Sequence, residues 1–229
     1  MRPLMLVRLT LAALVILVLS WSGPYLFSSP ILAQAPAQGR ATSTPYTGDL
    51  SVFDSPGRDK RLQVDRVMDL LGITRGSVVA DIGAGSGWFT VRAAKRVAPA
   101  GTVYAVDINP ESKSYIDART AKEGLTNVRT ITSKPEDPLL PPGSVNAVLL
   151  LKTYHEVAKP MALLQAIRPA LAPHGKVGII DRNGNAGSHG VDRDIVVREA
   201  EKAGYRLLQQ EDFVKGDGMD YFLVLTPEN

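Results

Sequence analysis

Apolar residues along most of this chain fall into short unbroken runs separated by segments of helical spacing. Runs at Ser77 to Asp81, Thr102 to Val106, Val128 to Thr132, Val145 to Leu151 and Lys176 to Asp181 have the length and the β-branched content of buried strands. Between them, Leu62, Val67, Leu70 and Leu71 predict an amphipathic helix that Gly72 ends, and Ser86 to Val97 predicts a second that stops at Pro99. Asn109 is placed to cap a third, with Pro110 at its first position, where the missing N–H would have had no partner anyway. Pro160 opens a helix with Leu163, Leu164, Ile167 and Leu171 on one face, His174-Gly175 turns into the next strand, and Val191 to Ala203 is closed by Gly204. Tyr205 to Gln210 and Tyr221 to Leu225 read as a terminal strand pair. Strands alternating with helices predict an α/β, doubly wound, mostly parallel sheet with right-handed crossovers. Ligands of such sheets bind beyond the carboxyl ends of the strands, which directs attention to Asp81, Asp107, the segment after Thr132, Lys152 to Glu156, and Asp181.

The first 35 residues follow a different pattern: Arg2 and Arg8 precede an apolar run from Leu9 to Leu19, and no acidic residue occurs before Pro36. This is the layout of a secretory signal peptide, with Ala33-Gln34-Ala35 as a cleavage site and Ser20-Trp21-Ser22 as an earlier one. An uncleaved anchor running on through Trp21, Tyr25, Phe27 and Ile31 is the competing reading, disfavoured by Gly23, Pro24 and Pro30. Either way the following domain is expected outside the cytoplasm, in the periplasm, with membrane contact only through this segment. Residues 36–57, rich in Ala, Gln, Ser, Thr, Pro and Gly, read as a flexible linker, and 58–229 as the folded domain.

With Arg2 and Arg8 set aside, a net charge of +3 leaves the chain nearly neutral, so nothing points to nucleic acid. The absence of cysteine excludes disulfides, thiolate metal sites and a cysteine nucleophile, and three histidines leave little material for a metal site; none is expected.

Asp81-Ile82-Gly83-Ala84-Gly85-Ser86-Gly87 joins a strand to a helix through glycines at every second position. Such a turn accepts positive φ and leaves room for a ligand against its backbone, but structural turns use it too. Asp107, 20 residues beyond Gly87, ends the next strand, where a carboxylate can accept from both ribose hydroxyls or merely help to cap a helix. Together the two features suggest an adenosine-containing ligand, either a dinucleotide or S-adenosylmethionine.

Val78 to Thr90 resembles motif I of the class I S-adenosylmethionine-dependent methyltransferases, where the aspartate precedes Gly-x-Gly-x-Gly; the dinucleotide fingerprint spaces its glycines differently. Gly101 to Asp107 is similar to motif II, Pro142 to Val148 to the approach to strand four, and Leu171 to Val177 to the family's Leu-x-Pro-Gly-Gly turn. Arg58-Asp59, Tyr154-His155-Glu156 and Glu199-Ala-x-x-Ala-Gly-Tyr205 add a likeness to a bacterial subgroup with exported members. The resemblance implies a Rossmann-like methyltransferase fold, a seven-stranded sheet with its last strand antiparallel. It implies S-adenosylmethionine as cofactor, with Asp81, Gly83, Gly85 and Gly87 at the methionine and ribose part, Asp107 on the ribose and Ile108 against the adenine. Ser133-Lys134 stands where many members have Gly-Asp, which leaves Ser133 in place and makes Glu136 or Asp137 the substitute acid. Asn146 and His174 depart where aspartate and glycine are common.

Tyr154-His155-Glu156 follows strand four, where the family places acceptor-contacting residues: His155 is the first choice for general base, Tyr154 for orienting the acceptor and Glu156 for orienting the imidazole. Asp181 and His189 are weaker candidates, Asp181 being read first as a cap or a partner of Arg182, and Asn183 to Gly190 as a loop over the acceptor. The acceptor implied is a small or lipid-like molecule. A non-catalytic exported module that keeps the fold is the alternative, because the cofactor is made in the cytoplasm and the leader points outward. A reporter fused after Gly57 is expected to be active only in its export-dependent form; activity confined to the cytoplasm overturns the leader.

Overall fold

The computed structural model describes Thr42, Tyr46 and residues 48–184 and 188–228, so the segment read as a leader lies outside the described residues. Seven strands, β1 (Val78–Ile82), β2 (Thr102–Asp107), β3 (Val128–Thr132), β4 (Val145–Leu151), β5 (Leu171–Asp181), β6 (Tyr205–Glu211) and β7 (Tyr221–Pro227), form one sheet in the order β3-β2-β1-β4-β5-β7-β6. β7 is antiparallel to both its neighbours and the remaining pairings are parallel, as the resemblance implied.

Strand periodicity decides where the helices lie. Val79, Val103, Ala147, Leu149, Phe222 and Val224 point to one face and pack with α2 (Val64–Leu71) and α3 (Trp88–Val97). Their chain neighbours Ala80, Val148, Leu150, Leu223 and Leu225 point to the other, against α5 (Pro160–Ile167) and α6 (Arg193–Lys202). Burial on both faces is what makes these strands read as continuous apolar runs rather than as alternating ones. α4 (Pro110–Lys122) rests Ile116 on Ala84 and Ala105. Its start is the expected one: the Asn109 side chain accepts from the Glu111 N–H at 2.9 Å.

Three details differ from the sequence reading. The helix predicted across Leu62 to Leu71 is two, α1 (Arg58–Leu62) and α2, broken at Gln63, whose φ of 53° is outside the helical range. Leu171 is not the last residue of α5; a short 3-10 turn, Arg168–Ala170, intervenes and Leu171 begins β5. Residues 48–57, in the stretch expected to be linker, include a 3-10 turn, Leu50–Phe53, with Leu50 buried against the domain. Among the described residues, no helix is long and apolar enough to cross a membrane.

β1 and β4 are adjacent, yet the chain leaves β1 toward β2 and leaves β4 toward β5. A crevice must therefore open between their carboxyl ends. Leu149, fully buried in β4, sits at the centre of this arrangement. Leu149→Ala is expected to lower the unfolding free energy by about 2–5 kcal/mol in a urea titration, the range for a leucine cavity in a core that cannot collapse.

Candidate functional site

A cavity of about 660 Å³ opens at that crevice, within the range of small-molecule sites. Its floor is the glycine turn. The Gly83 and Ala84 N–H groups donate to the Val106 carbonyl at 2.8 and 3.1 Å, which fastens the turn to β2. Gly83 has φ 74°, and a Cβ there would come within 2.3 Å of the Thr153 side chain just beyond β4. Gly87, also at positive φ, is the residue before α3; a Cβ there would come within 2.9 Å of Ile116, and it does not line the cavity. So at Gly83 and Gly87 glycine is demanded by the protein's own packing, whereas Gly83 and Gly85 also face the cavity.

Asp107 reaches back over this floor. One carboxylate oxygen accepts from the Gly85 N–H at 2.8 Å and the other from the Asn109 N–H at 2.9 Å. An ionised carboxylate has about four acceptor positions, so two remain for a ligand diol. Ile108 lies beside it, 43% exposed, as an apolar plate at the cavity wall, and Ser133 lines the same side. Glu136 does not: it pairs with Lys159 at 2.8 Å away from the cavity, and Asp137 accepts from the Leu139 N–H. Both are thereby removed as substitutes for the missing adenine-side acid.

Asp81, the last but one residue of β1, lies under the turn, 3% exposed, and accepts from the Thr90 hydroxyl at 2.6 Å. Burial pushes its carboxyl up to about 6; the Thr90 bond and Arg58 act against the rise and Asp107 adds to it.

The opposite end of the cavity is built on the 3-10 turn Tyr154–Glu156. With about three residues per turn, successive side chains point about 120° apart. Tyr154 therefore goes into the core, fully buried, with its hydroxyl bonded to Glu199 at 2.9 Å. It lines no part of the cavity, and its assignment as an acceptor-orienting residue is corrected to a core one. His155 and Glu156 face the cavity. The buried Asp181 carboxylate accepts from the His155 ring at Nδ1, 2.8 Å away, and from the His155 backbone N–H at 3.1 Å. Asp181 is thus the group that orients the imidazole, in place of the cap or Arg182 side-chain partner expected of it; with Arg182 it makes only a bond to the backbone N–H. Glu156, expected to do the orienting, lies instead 3.2 Å from Nε2. His189 lines the same end.

Lys152, at φ 55°, closes the wall beyond β4. Burial, with Arg182 and Arg58 nearby, holds its ammonium below the usual lysine range. Arg58 stacks on Trp88 with its guanidinium carbon 4.5 Å from the ring centroid and pairs with Asp217 at 2.8 Å.

The remaining wall comes from the segment expected to be linker. Tyr46, Leu50 and Phe53 line the cavity, with the Phe53 ring over Gly85. Asp54 fastens this segment by accepting from the Ser86 hydroxyl at 2.9 Å and from Arg119 at 2.7 Å. The signal for it was the apolar set Leu50, Val52 and Phe53 inside an otherwise polar stretch.

Residues 79–175 match a family model described as a methyltransferase domain. The chain is 30% identical over 129 residues to a nocamycin O-methyltransferase of Saccharothrix syringae, covering 56% of this chain and 46% of that protein. It is 40% identical over 65 residues to a protein-L-isoaspartate O-methyltransferase of Aeropyrum pernix, covering 28% of this chain and 25% of that protein. The matched parts thus span less than half the length of these relatives. Among solved structures, a SAM-dependent methyltransferase from Aquifex aeolicus superposes with a TM-score of 0.71 at 24% identity, over 78% of this chain and 98% of that one. The strand order and the placement of the helices are those of the Rossmann-like methyltransferase fold.

Asp81 generates a prediction about stability. Its carboxyl takes up its proton near 6 in the folded protein but near 3.8 when unfolded, so the folded state binds more protons between these values. Its contribution is present below about pH 4 and lost as pH rises through about 6. Asp81→Asn, which still accepts from Thr90, is expected to gain stability relative to the parent as pH goes from about 4 to about 7 in urea titrations. A difference that stays constant over that range overturns the assignment.

Proposed function

We propose that this protein transfers a methyl group from S-adenosylmethionine to a small or lipid-like acceptor seated against His155. The observation that carries the reading is Asp107, fixed by the Gly85 and Asn109 N–H groups while it lines the cavity beside the glycine turn. A bound S-adenosylmethionine supplies a methyl group on a positively charged sulfur, open to in-line attack.

The residues present fit that ligand. Asp107 has acceptor capacity left for the two ribose hydroxyls, and Ile108 offers the adenine an apolar face. Ser133 contributes a hydroxyl where the family commonly has an acid. Asp81, at the threshold of ionisation near neutrality, is drawn to its charged form by a cationic ligand, which replaces the water that burial removed. Gly83 and Gly85 present backbone without side chains.

At the other end, Asp181 fixes the His155 ring with Nδ1 as the donor, so that Nε2 carries the lone pair. With the acceptor in the place of Glu156 Oε1, now 3.2 Å away, Nε2 can receive the proton of an acceptor hydroxyl, amine or acidic carbon as the nucleophile forms. A rate role of this type contributes about 10²–10⁴-fold, and alignment of the acceptor by the cavity walls supplies the rest. A preformed carboxylate–imidazole pair in the cavity favours catalysis over a ligand-binding module, which has no use for a base. Export of the domain by residues 1–35 is part of the same proposal and rests on the sequence.

Calorimetric titration of the purified chain with S-adenosylmethionine and S-adenosylhomocysteine is expected to show saturable binding. Asp107→Ala should weaken both by about 10- to 100-fold, the loss of charge-assisted bonds to the ribose. Absence of binding at millimolar ligand would sink the methyltransferase reading, and affinity unchanged in Asp107→Ala would sink this cofactor site.

A further inference from the structure

We infer that His155, Glu156 and His189 form a site for a divalent first-row transition cation at the acceptor end of the cavity. One ligand atom from each of the three lies within 4.8 Å of the others. Glu156 Oε1 is 3.2 Å from His155 Nε2 and 3.5 Å from His189 Nδ1. A tetrahedral cation with bonds of about 2.0–2.1 Å spaces its ligand atoms at about 3.3 Å. The two separations from Glu156 are already those of edges of such a site.

The protonation pattern points the same way. Both oxygens of the buried Asp181 carboxylate lie within 3.0 Å of His155 Nδ1, so the ring proton belongs on Nδ1. The neutral ring then turns a lone pair toward Glu156 Oε1, itself an acceptor. Two acceptors facing each other at 3.2 Å need something positive between them, either a second ring proton or a cation. Glu156 adds another acceptor of the same kind, because its Oε2 is buried and has no hydrogen-bond partner among the described residues. A ring proton on His155 satisfies Oε1 alone, whereas a cation uses Nε2, the second imidazole and the carboxylate together.

The surroundings are those of a ligand set. A carboxylate behind a ligating imidazole fixes its tautomer and raises its basicity, and Asp181 stands in that position. His189 has φ 52°, a conformation that non-glycine residues hold only when neighbours impose it. Here Arg182 donates to the His189 carbonyl at 3.1 Å. Arg182 and Lys152 line the same cavity and oppose a further positive charge; Glu156 and Asp181 offset them. Two imidazoles and one carboxylate suit zinc, cobalt(II) or iron(II) better than magnesium or calcium. All three residues line the cavity, so the coordination positions they leave free open onto it.

The Nε2 lone pair serves one role at a time. In the cation-loaded protein His155 is a ligand, and an acceptor oxygen is held and acidified by the cation instead. The site does not depend on methyl transfer, and its test separates the two.

Tag-free full chain, stripped with a chelator, is titrated with zinc in a calorimeter and with cobalt(II) in a spectrophotometer. The expected result is one zinc bound per chain, with cobalt(II) giving the visible bands of a low-coordinate nitrogen–oxygen site. His189→Ala, at an exposed position where folding is not at risk, should weaken zinc binding by at least about 10-fold, as should Glu156→Gln. Asp107→Ala should bind zinc like the parent, and His189→Ala should keep its S-adenosylhomocysteine affinity. No saturable zinc binding below about 100 µM, or affinity unchanged in both His189→Ala and Glu156→Gln, overturns the site and leaves an imidazolium–carboxylate pair. Zinc binding in a parent that does not bind S-adenosylhomocysteine supports the cation site and overturns the methyltransferase reading alone.

Discussion

The constraint on which the site depends is the passage of the chain at Gly83 beneath the Thr153 side chain, where no Cβ fits. It exists because β1 and β4 lie side by side while their continuations part in opposite directions across the sheet. The first residues after each strand must share the space between, and one of them has to be a glycine at positive φ. Once Gly83 is there, its N–H and that of Ala84 reach the Val106 carbonyl, and Gly85 presents its own N–H to Asp107. The cavity floor, the position of Asp107 and the start of α3 are consequences of that one approach. Thr153 is in turn the residue before the turn that carries His155 and Glu156, so both ends of the site are set from the same point.

Charge is distributed unevenly over that frame. Asp81 and Asp107 lie close enough at the cofactor end for one to raise the other's pKa, on top of what burial does to Asp81. Thr90 and Arg58 only partly offset this. A buried carboxylate held near its ionisation threshold destabilises the free protein at neutral pH and is relieved by a cation, so the cost of the site is recovered on binding. The opposite end has the reverse arrangement: Lys152 loses basicity to burial and to two arginines, while Asp181 and Glu156 flank the His155 imidazole and Glu156 also lies beside His189. The field thus favours positive charge on one side of the cavity and an acidic or coordinating group on the other.

The parallel strands were legible because burial on both faces leaves a continuous apolar run, and their observed bounds differ from the reading by a residue or two, apart from the earlier start of β5. The departures sit where single residues hold unusual backbone. Gln63 at φ 53° splits one predicted helix, and His174 at φ 63° explains why its position is commonly glycine. The glycine-turn end of the cavity was readable because the turn and Asp107 are local patterns with fixed spacing. At the opposite end His155, Glu156, Asp181 and His189 were named but not their arrangement, since the bond from His155 to Asp181 spans 26 positions and nothing in either segment announces the other. Tyr154 was misread for a geometric reason: three adjacent polar-capable residues suggest one site, but a 3-10 turn sends the first into the core and the next two outward. Glu136 failed because a surface lysine was available to it.

The wall formed by Tyr46, Leu50 and Phe53 shows what composition alone conceals. A stretch poor in apolar periodicity was read as linker, yet three of its side chains are enough to cover the glycine turn, with Phe53 in contact distance of Gly85. The attachment is lighter than that of the floor. Asp54 to Ser86 and Arg119, and the Phe53 carbonyl to Arg58, are partly exposed polar contacts, whereas the floor is held by strand ladders and a buried apolar core. Local opening free energies follow such differences, so this wall is expected to separate from the floor more easily than the floor comes apart. Anything that fills the cavity touches floor and wall together, and what binds the joined form alone stabilises the joining by mass action. Ligand affinity and the docking of this segment are therefore one linked equilibrium, with the glycine turn on one side of it and Phe53 on the other.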